Sequence, residues 1–422
     1  MIIYFSVKNF RSIRDKITLN FRASAQSELA EYYIYEFPEL KLKLLKMAMI
    51  FGKNASGKTN ILRALDFLRD FIIHKAADKT KPTGVQPFAL DKDKNSEFEI
   101  KFVYENIIYL YKLILNQNLI LSEQLYYWPN GVKTRIFTRD YNFEEKNYKY
   151  NWSGAKASKA LIENLILTVQ SQSILTSLKQ YEYSGPMQQA YNWFNKTLAP
   201  IVKPDTKLVI WNIENFWYNE KFKDFYISQM QKADFIINGI NVKKEEVAFA
   251  KIPFVILEDT IRNKNTKLPD KMEQISIILS HKVSDGEFSL ELKEQSEGTI
   301  RFLELCGLLC WIQQNNKVIP IDEIERSMHE DLITYFIETY LSFAQASQII
   351  FTSQNSTILD MKEIIRRDTI WITDRLENGG TELTRLTDYP VKKEHSIGNL
   401  YRKGLIGGKP DTGIIKWSIN NE

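Results

Sequence analysis

Lys46-Met-Ala-Met-Ile-Phe51-Gly52-Lys-Asn-Ala-Ser-Gly57-Lys58-Thr59 is the stretch on which the reading of this chain turns. Its first half is an unbroken apolar run, the pattern of a strand buried on both faces. Its second half, Gly52 to Thr59, fits G-x-x-x-x-G-K-[ST]. Beyond it, Ile61, Leu62, Leu65, Leu68 and Ile72 recur at helical spacing. A strand, a glycine loop and a helix in that order form a phosphate cradle. Gly52 and Gly57 let the backbone curl until successive N–H groups point inward, and the helix start adds donors of its own. Asn54 and Ser56 lie within this loop and Asn60 just after it, so they join the expected nucleotide contacts. Lys58 brings a cation to the β- and γ-phosphates, and the Thr59 hydroxyl is a ligand for Mg²⁺. The expected cofactors are ATP and Mg²⁺.

Such a loop needs a carboxylate at the end of a neighbouring strand. Val318-Ile-Pro-Ile321-Asp322-Glu323 supplies one. Asp322 is expected to hold Mg²⁺, and Glu323 to orient and deprotonate the attacking water. Pro320 cannot donate to a ladder, so a bulge or a shortened strand is expected there. Upstream, Ser296-Glu-Gly298-Thr299-Ile-Arg301 precedes an apolar helix. Ser296 is a good N-cap, and Gly298 leaves bare backbone near the helix start. Two readings stay open: a plain cap, or a helix terminus that docks on a γ-phosphate held by a second copy of the chain.

Working outward, residues 1–22 read as a strand pair around Asn9-Phe10-Arg11-Ser12, and 97–150 as antiparallel strands. From Ser153 to about residue 245 the pattern is helical, with breaks at Gly185-Pro186, Pro200 and Pro204, and is read as three or four helices. Residues 262–272 resemble an exposed linker. Strands return at 274–293 with Asp285-Gly286 as a hairpin turn. A helix over 299–313, a strand at 318–321, a helix over 329–345, a strand at 348–352, and then a further helix and a strand at 369–373 follow. The expected fold is α/β, a mostly parallel sheet with an antiparallel β subdomain and a helical insertion. The expected segments are an N-terminal lobe over 1–152, the insertion and linker over 153–272, and a C-terminal lobe over 273–422.

Composition narrows the setting. Of 422 residues 44% are hydrophobic and 26% charged, ordinary for a globular chain. Lys plus Arg is 56 and Asp plus Glu 52, a net charge of +4, too balanced to argue for nucleic acid. Cys306 and Cys310, the two cysteines, fall in an apolar helical run and read as buried thiols in a reducing compartment. The opening MIIYFSVKNF alternates as a strand does, not as a signal peptide. No apolar run reaches the roughly 18 residues of a membrane span. A cytoplasmic protein without membrane association is expected.

The order of P-loop, S-x-G-x-x-R helix and Asp-Glu strand resembles the ATPase heads of the ABC/SMC superfamily, including DNA-repair ATPases. More closely, the chain is similar to the standalone bacterial AAA-type ATPases of the RloA and abortive-infection type. The matching residues are Ser296-Glu-Gly-Thr, Asp322-Glu-Ile-Glu-Arg-Ser-Met-His329, Ile350-Phe-Thr-Ser-Gln-Asn355, Arg366-Arg-Asp-Thr-Ile-Trp371 and Leu400-Tyr-Arg-Lys-Gly404. The likeness is strong in 1–75 and 290–410 and weak in the helical middle. It implies a P-loop ABC/SMC-type head in which Arg11 of Asn9-Phe10-Arg11-Ser12 approaches the nucleotide. It also makes Gln86, before Pro87-Phe88, a candidate for the lobe-coupling glutamine that reaches Mg²⁺, against the reading of an ordinary loop amide. His329 is read at a dimer seam or as a helix cap, not as a metal ligand.

The chain departs from the family at Ser353-Gln354-Asn355, where relatives carry a switch histidine in a Thr-Thr-His-Asp-like motif. Gln354 can hydrogen-bond a γ-phosphate but can carry neither proton nor charge. The catalytic set expected is Glu323, Lys58 and Gln354, with slow turnover. The resemblance implies a homodimer, or a higher even-numbered oligomer, closed around ATP. It also implies a separate effector, a TOPRIM-type nuclease or other toxin, because the sequence leaves no room for a TOPRIM domain of its own. The function so implied is the ATPase component of an anti-phage, abortive-infection system. A RecF-like DNA-clamping ATPase, with nucleic acid as partner, and a nearly non-hydrolysing ATP-gated scaffold remain alternatives.

Overall fold

The computed structural model describes residues 1–75, 82–217, 219–248, 271–361, 363–392 and 394–408. They form two compact units: 1–206 with 312–325 and 337 onward, and 207–311 with 326–336.

The first unit holds two large sheets. One is antiparallel, with strands β1 (Ile2–Lys8), β2 (Ile17–Asn20), β6 (Ser96–Tyr104), β7 (Ile107–Leu115), β8 (Ile120–Tyr127), β9 (Thr134–Asn142) and β10 (Asn147–Asn151) in the order β10-β9-β8-β7-β6-β1-β2. Alternate residues such as Phe98, Ile100 and Phe102 on β6 face the core, the period-two pattern of a half-buried sheet. A hairpin of β3 (Ile34–Phe37) and β4 (Leu42–Leu45) follows the short helix α1 (Ala30–Tyr33).

The other sheet contains β5 (Met47–Gly52), β14 (Val318–Ile321), β15 (Gln348–Ser353), β16 (Ile370–Arg375) and β17 (Thr381–Arg385), ordered β14-β15-β5-β16-β17. All pairs are parallel except β16 with β17. β5 is the central strand and every one of its residues is buried, which explains its lack of alternation. Helix α2 (Lys58–Ile73) follows the P-loop and buries Ile61, Leu62, Leu65, Leu68 and Ile72. The expected α/β class with a mostly parallel sheet and an antiparallel subdomain is thus the observed one.

Pro320 makes no bulge. The register runs unbroken from Val318↔Gln348 to Ile321↔Phe351. β14 is the edge strand, and Pro320 turns its carbonyl outward to accept the Val202 N–H at 2.9 Å. A proline is tolerated there because that side of the strand needs no donor from it.

The stretch read as helical is broken into short pieces: α2 is followed by α3 (Lys159–Ile166), α4 (Ile174–Leu178), α5 (Pro186–Asn192), α6 (Val209–Asn212) and α7 (Glu220–Lys232), with single π-turns after α5 and α6. The helical reading also runs too far. Residues 237–248 form strand β11, not helix. α7 ends at Lys232, the chain turns at Asp234, whose φ of 64° is left-handed, and β11 then pairs with β12 (Lys271–Val283). That partner lies far along the chain, so local periodicity does not reveal the strand. β13 (Gly286–Glu291) completes this three-stranded sheet across the expected Asp285-Gly286 turn. Residues 262–270 of the expected linker lie outside the described residues. The second unit also contains the start of α8 (Glu297–Gln314) and of α9 (Glu330–Phe343). Helix α10 (Ile397–Arg402) closes the described chain in the first unit.

Candidate nucleotide site

The P-loop joins the carboxyl end of β5 to α2, and its backbone is shaped by what cannot fit. A Cβ at Gly52 would collide with the hydroxyls of Thr373 and Ser56, and one at Gly57 with the Thr381 side chain. Gly57 also has φ 105°, and Ala55 takes φ 61° at the exposed tip beside Asn54. Alternating left-handed residues turn peptide N–H groups toward one side. The first turn of α2 adds N–H groups with no carbonyl four residues behind them.

Three side chains sit at the base of this loop. Lys58 is buried, and its ammonium donates to the Gly52 carbonyl at 2.7 Å and the Lys53 carbonyl at 3.1 Å. Burial lowers its proton affinity, opposed by the carboxylates of Glu325, Glu323 and Asp322, with Glu325 the strongest of the three. The Thr59 hydroxyl donates to Asp322 Oδ1 at 2.9 Å. Asp322 leaves the edge strand β14, and β15 lies between it and β5. Thr352 on β15 spans that gap. Its hydroxyl donates to the same Asp322 oxygen at 2.7 Å and accepts the Glu323 N–H at 2.8 Å. A hydroxyl and a carboxylate at the foot of an N–H-lined loop are hard oxygen donors that fit a divalent cation beside a triphosphate.

Glu323 has φ 48°, uncommon for a residue with a side chain. Its Oε1 accepts from Gln354 Nε2 at 2.8 Å, and Glu325 Oε1 accepts from the Gln354 backbone N–H at 2.6 Å. The structure therefore brings Lys58, Thr59, Asp322, Glu323 and Gln354 together.

Other expected contacts are placed less directly. Asn60 Nδ2 donates to Ser12 Oγ at 2.8 Å, and Ser56 Oγ pairs with Thr373 Oγ1 at 2.6 Å, so both amide and hydroxyl brace the loop. Arg11 occupies a tight turn with φ 51°, and its N–H donates to the Gln86 carbonyl at 2.8 Å. Its Nε is buried without a hydrogen-bond partner. Burial lowers the Arg11 proton affinity and the nearby Arg63 charge lowers it further. Gln86 reaches this neighbourhood by its backbone. Its side chain is exposed, and no hydrogen bond joins it to Thr59 or Asp322.

Ser296 and Gly298 belong to the second unit. Ser296 Oγ accepts the Thr299 N–H at 3.1 Å, a standard N-cap at an exposed helix start. A Cβ on Gly298 would lie 2.6 Å from the Ser327 carbonyl, so this glycine lets the Ser327 turn close over the helix. His329 accepts from the Asp331 N–H at 3.4 Å just before α9, a capping position. Cys306 and Cys310 are free and buried. Among the described residues no group of three His, Cys, Asp or Glu could hold a metal, and no helix is long and apolar enough to cross a membrane.

Several contributors escape sequence reasoning. Thr352, Thr373, Thr381 and Asp374 brace the site from strands far along the chain, Asp374 through a 2.9 Å ion pair with Lys53. Glu325 had one available signal, its place three residues after Asp322 at the same strand end.

The family model described as "AAA domain, putative AbiEii toxin, Type IV TA system" matches residues 47–360, from β5 to just beyond the Gln354 turn. Among solved structures, an SMC head bound to the C-terminal winged-helix domain of ScpA is 13% identical, covering 91% of this chain and 97% of that one with a TM-score of 0.43. The SMC head domain from Thermotoga maritima is 13% identical, covering 91% and 98%, with a TM-score of 0.42. An SMC head with an extended coiled coil from Pyrococcus furiosus is 12% identical, covering 91% and 95%, with a TM-score of 0.40. No curated protein matches the chain.

Proposed function

The chain belongs to the family of AAA domains whose model spans residues 47–360, and from that premise we propose that it is an ATP-binding and ATP-hydrolysing head that closes as a dimer around ATP. The observation that carries the reading is the direct Thr59–Asp322 hydrogen bond, which joins the P-loop to the acidic end of β14, where Thr352 donates to the same Asp322 oxygen. In this reading Gly52 to Asn60 cradle the phosphates, Arg11 approaches the nucleotide, and Lys58 offsets charge on the β- and γ-oxygens. Thr59 and Asp322, with Gln86 as a further candidate, would hold Mg²⁺, which would supply neutralisation of phosphate charge.

Glu323 takes a proton from water as its oxygen attacks the γ-phosphorus. The bond from that phosphorus to the β,γ-bridging oxygen breaks, leaving ADP and phosphate. Gln354 orients Glu323, and its lack of a titratable ring makes turnover slow. Residues 1–152 and 273–422 act as two lobes of one head, with 153–272 as the insertion moved by engagement. Ser296 and Gly298 complete the site of a second copy, which makes the dimer two-fold.

The output we propose is control of a separate effector in a cytoplasmic anti-phage system, an extension resting on family likeness. The test is Glu323→Gln. With the general base gone, ATP should hold the protein as a stable dimer by light scattering while phosphate release drops by about 100-fold or more. A variant that hydrolyses at the parental rate ends the assignment.

A further inference from the structure

Gln354 is held from two sides. Its carboxamide donates to Glu323 Oε1 at 2.8 Å, and its backbone N–H donates to Glu325 Oε1 at 2.6 Å. The turn beginning at Ser353 has no regular partner strand beyond this point, because β15 ends at Ser353. Glu325 is therefore the anchor that sets where the Gln354 side chain starts. Ile324, fully buried, fixes Glu325 in turn, its N–H donating to the Thr352 carbonyl at 3.2 Å. The second Glu325 oxygen is buried without a partner, and the same carboxylate acts on Lys58 more strongly than Glu323 or Asp322 does. A buried oxygen left unbonded is costly, so a side chain kept there is expected to be doing more than capping a turn.

Resting on the ATPase reading above, we propose that Glu325 is a positioning residue for hydrolysis, clamping the Gln354 backbone so that Gln354 and Glu323 act as one hydrogen-bonded pair facing the P-loop. A misplacement of one ångström in such a pair is enough to cost rate without touching binding.

The experiment compares Glu325→Ala and Glu325→Gln in the full chain, with Glu323→Gln as reference. Readouts are ATP turnover, binding of a fluorescent ATP analogue, and backbone amide exchange at Gln354. Glu325→Ala should lower kcat about tenfold or more, leave nucleotide affinity within about twofold, and speed exchange at Gln354. Glu325→Gln keeps an acceptor oxygen and should restore most of both. The proposal is overturned if the alanine variant matches the parent in kcat and exchange. It is equally overturned if affinity falls in step with kcat, or if the glutamine variant is as slow as the alanine one. A parent protein with no turnover at all, unaffected by Glu323→Gln, would instead sink the ATPase reading itself.

Discussion

Lys58 carries opposed demands. It is buried, which lowers its proton affinity, and the carboxylates of Glu325, Glu323 and Asp322 oppose that shift. Lys58→Ala removes the cation and leaves Glu325, Glu323 and Asp322 facing a polyanion. ATP affinity should drop by about 100-fold or more, read with a fluorescent analogue, while the fold survives. Gln354 is the other residue with a specific forecast. Gln354→His puts a titratable donor beside Glu323 and should raise kcat several-fold; an unchanged or lower rate would mean that the amide is not what limits turnover. Lys58, Thr59, Asp322 and Glu323 were legible in the sequence because each belongs to a short motif with a mechanism. Thr352, Thr373 and Glu325 were not, since hydroxyls and acids at strand ends are common and only their partners give them meaning.

Between elements, a buried ion pair ties strands to the helical segment beside them. Glu123 on β8 and Arg139 on β9 are fully buried, with Glu123 Oε2 and Arg139 Nη1 3.6 Å apart. Glu123 accepts from Ser173 Oγ at 2.6 Å, from the Ile174 N–H at 3.1 Å and from the Tyr111 hydroxyl at 2.9 Å. Arg139 donates to the carbonyls of Gln172 and Val169 and lies over the Tyr148 ring. The pair thus pins α4 and the segment before it to the antiparallel sheet. Burial pushes the Glu123 carboxyl up, opposed by Arg139. Glu123→Ala would strand a buried guanidinium and should cost about 3–5 kcal/mol in denaturant unfolding; a cost under about 1 kcal/mol would show that water reaches Arg139. The strand pattern of 97–150 and the helical pattern from Ser153 onward were readable, but their docking through Glu123 and Arg139 was not.

For the whole molecule the forecast concerns assembly. Ser296 presents an exposed, capped helix start, and Gly298 admits the Ser327 turn against it. Ser296→Arg puts a bulky cation at that start. It should abolish ATP-induced dimerisation in light scattering and leave ATP binding within about threefold of the parent. Normal dimerisation by this variant would rule out the trans role.

What the sequence determined unaided is the local grammar. An apolar run, two glycines, a lysine and a threonine dictate a strand, an N–H-lined loop and a helix, because those backbone angles and donors are set by neighbouring residues alone. The alternation of β-strands and helices likewise announced a parallel sheet. Tertiary structure alone decided the strand order that puts β15 between β5 and β14, so that Thr352 and Thr59 both donate to the same Asp322 oxygen. It decided that 237–248 is a strand, that Pro320 sits harmlessly on an edge, and that Glu325 reaches Gln354. Each of these depends on groups brought together from distant parts of the chain, where pairing and burial, not local preference, set the energy.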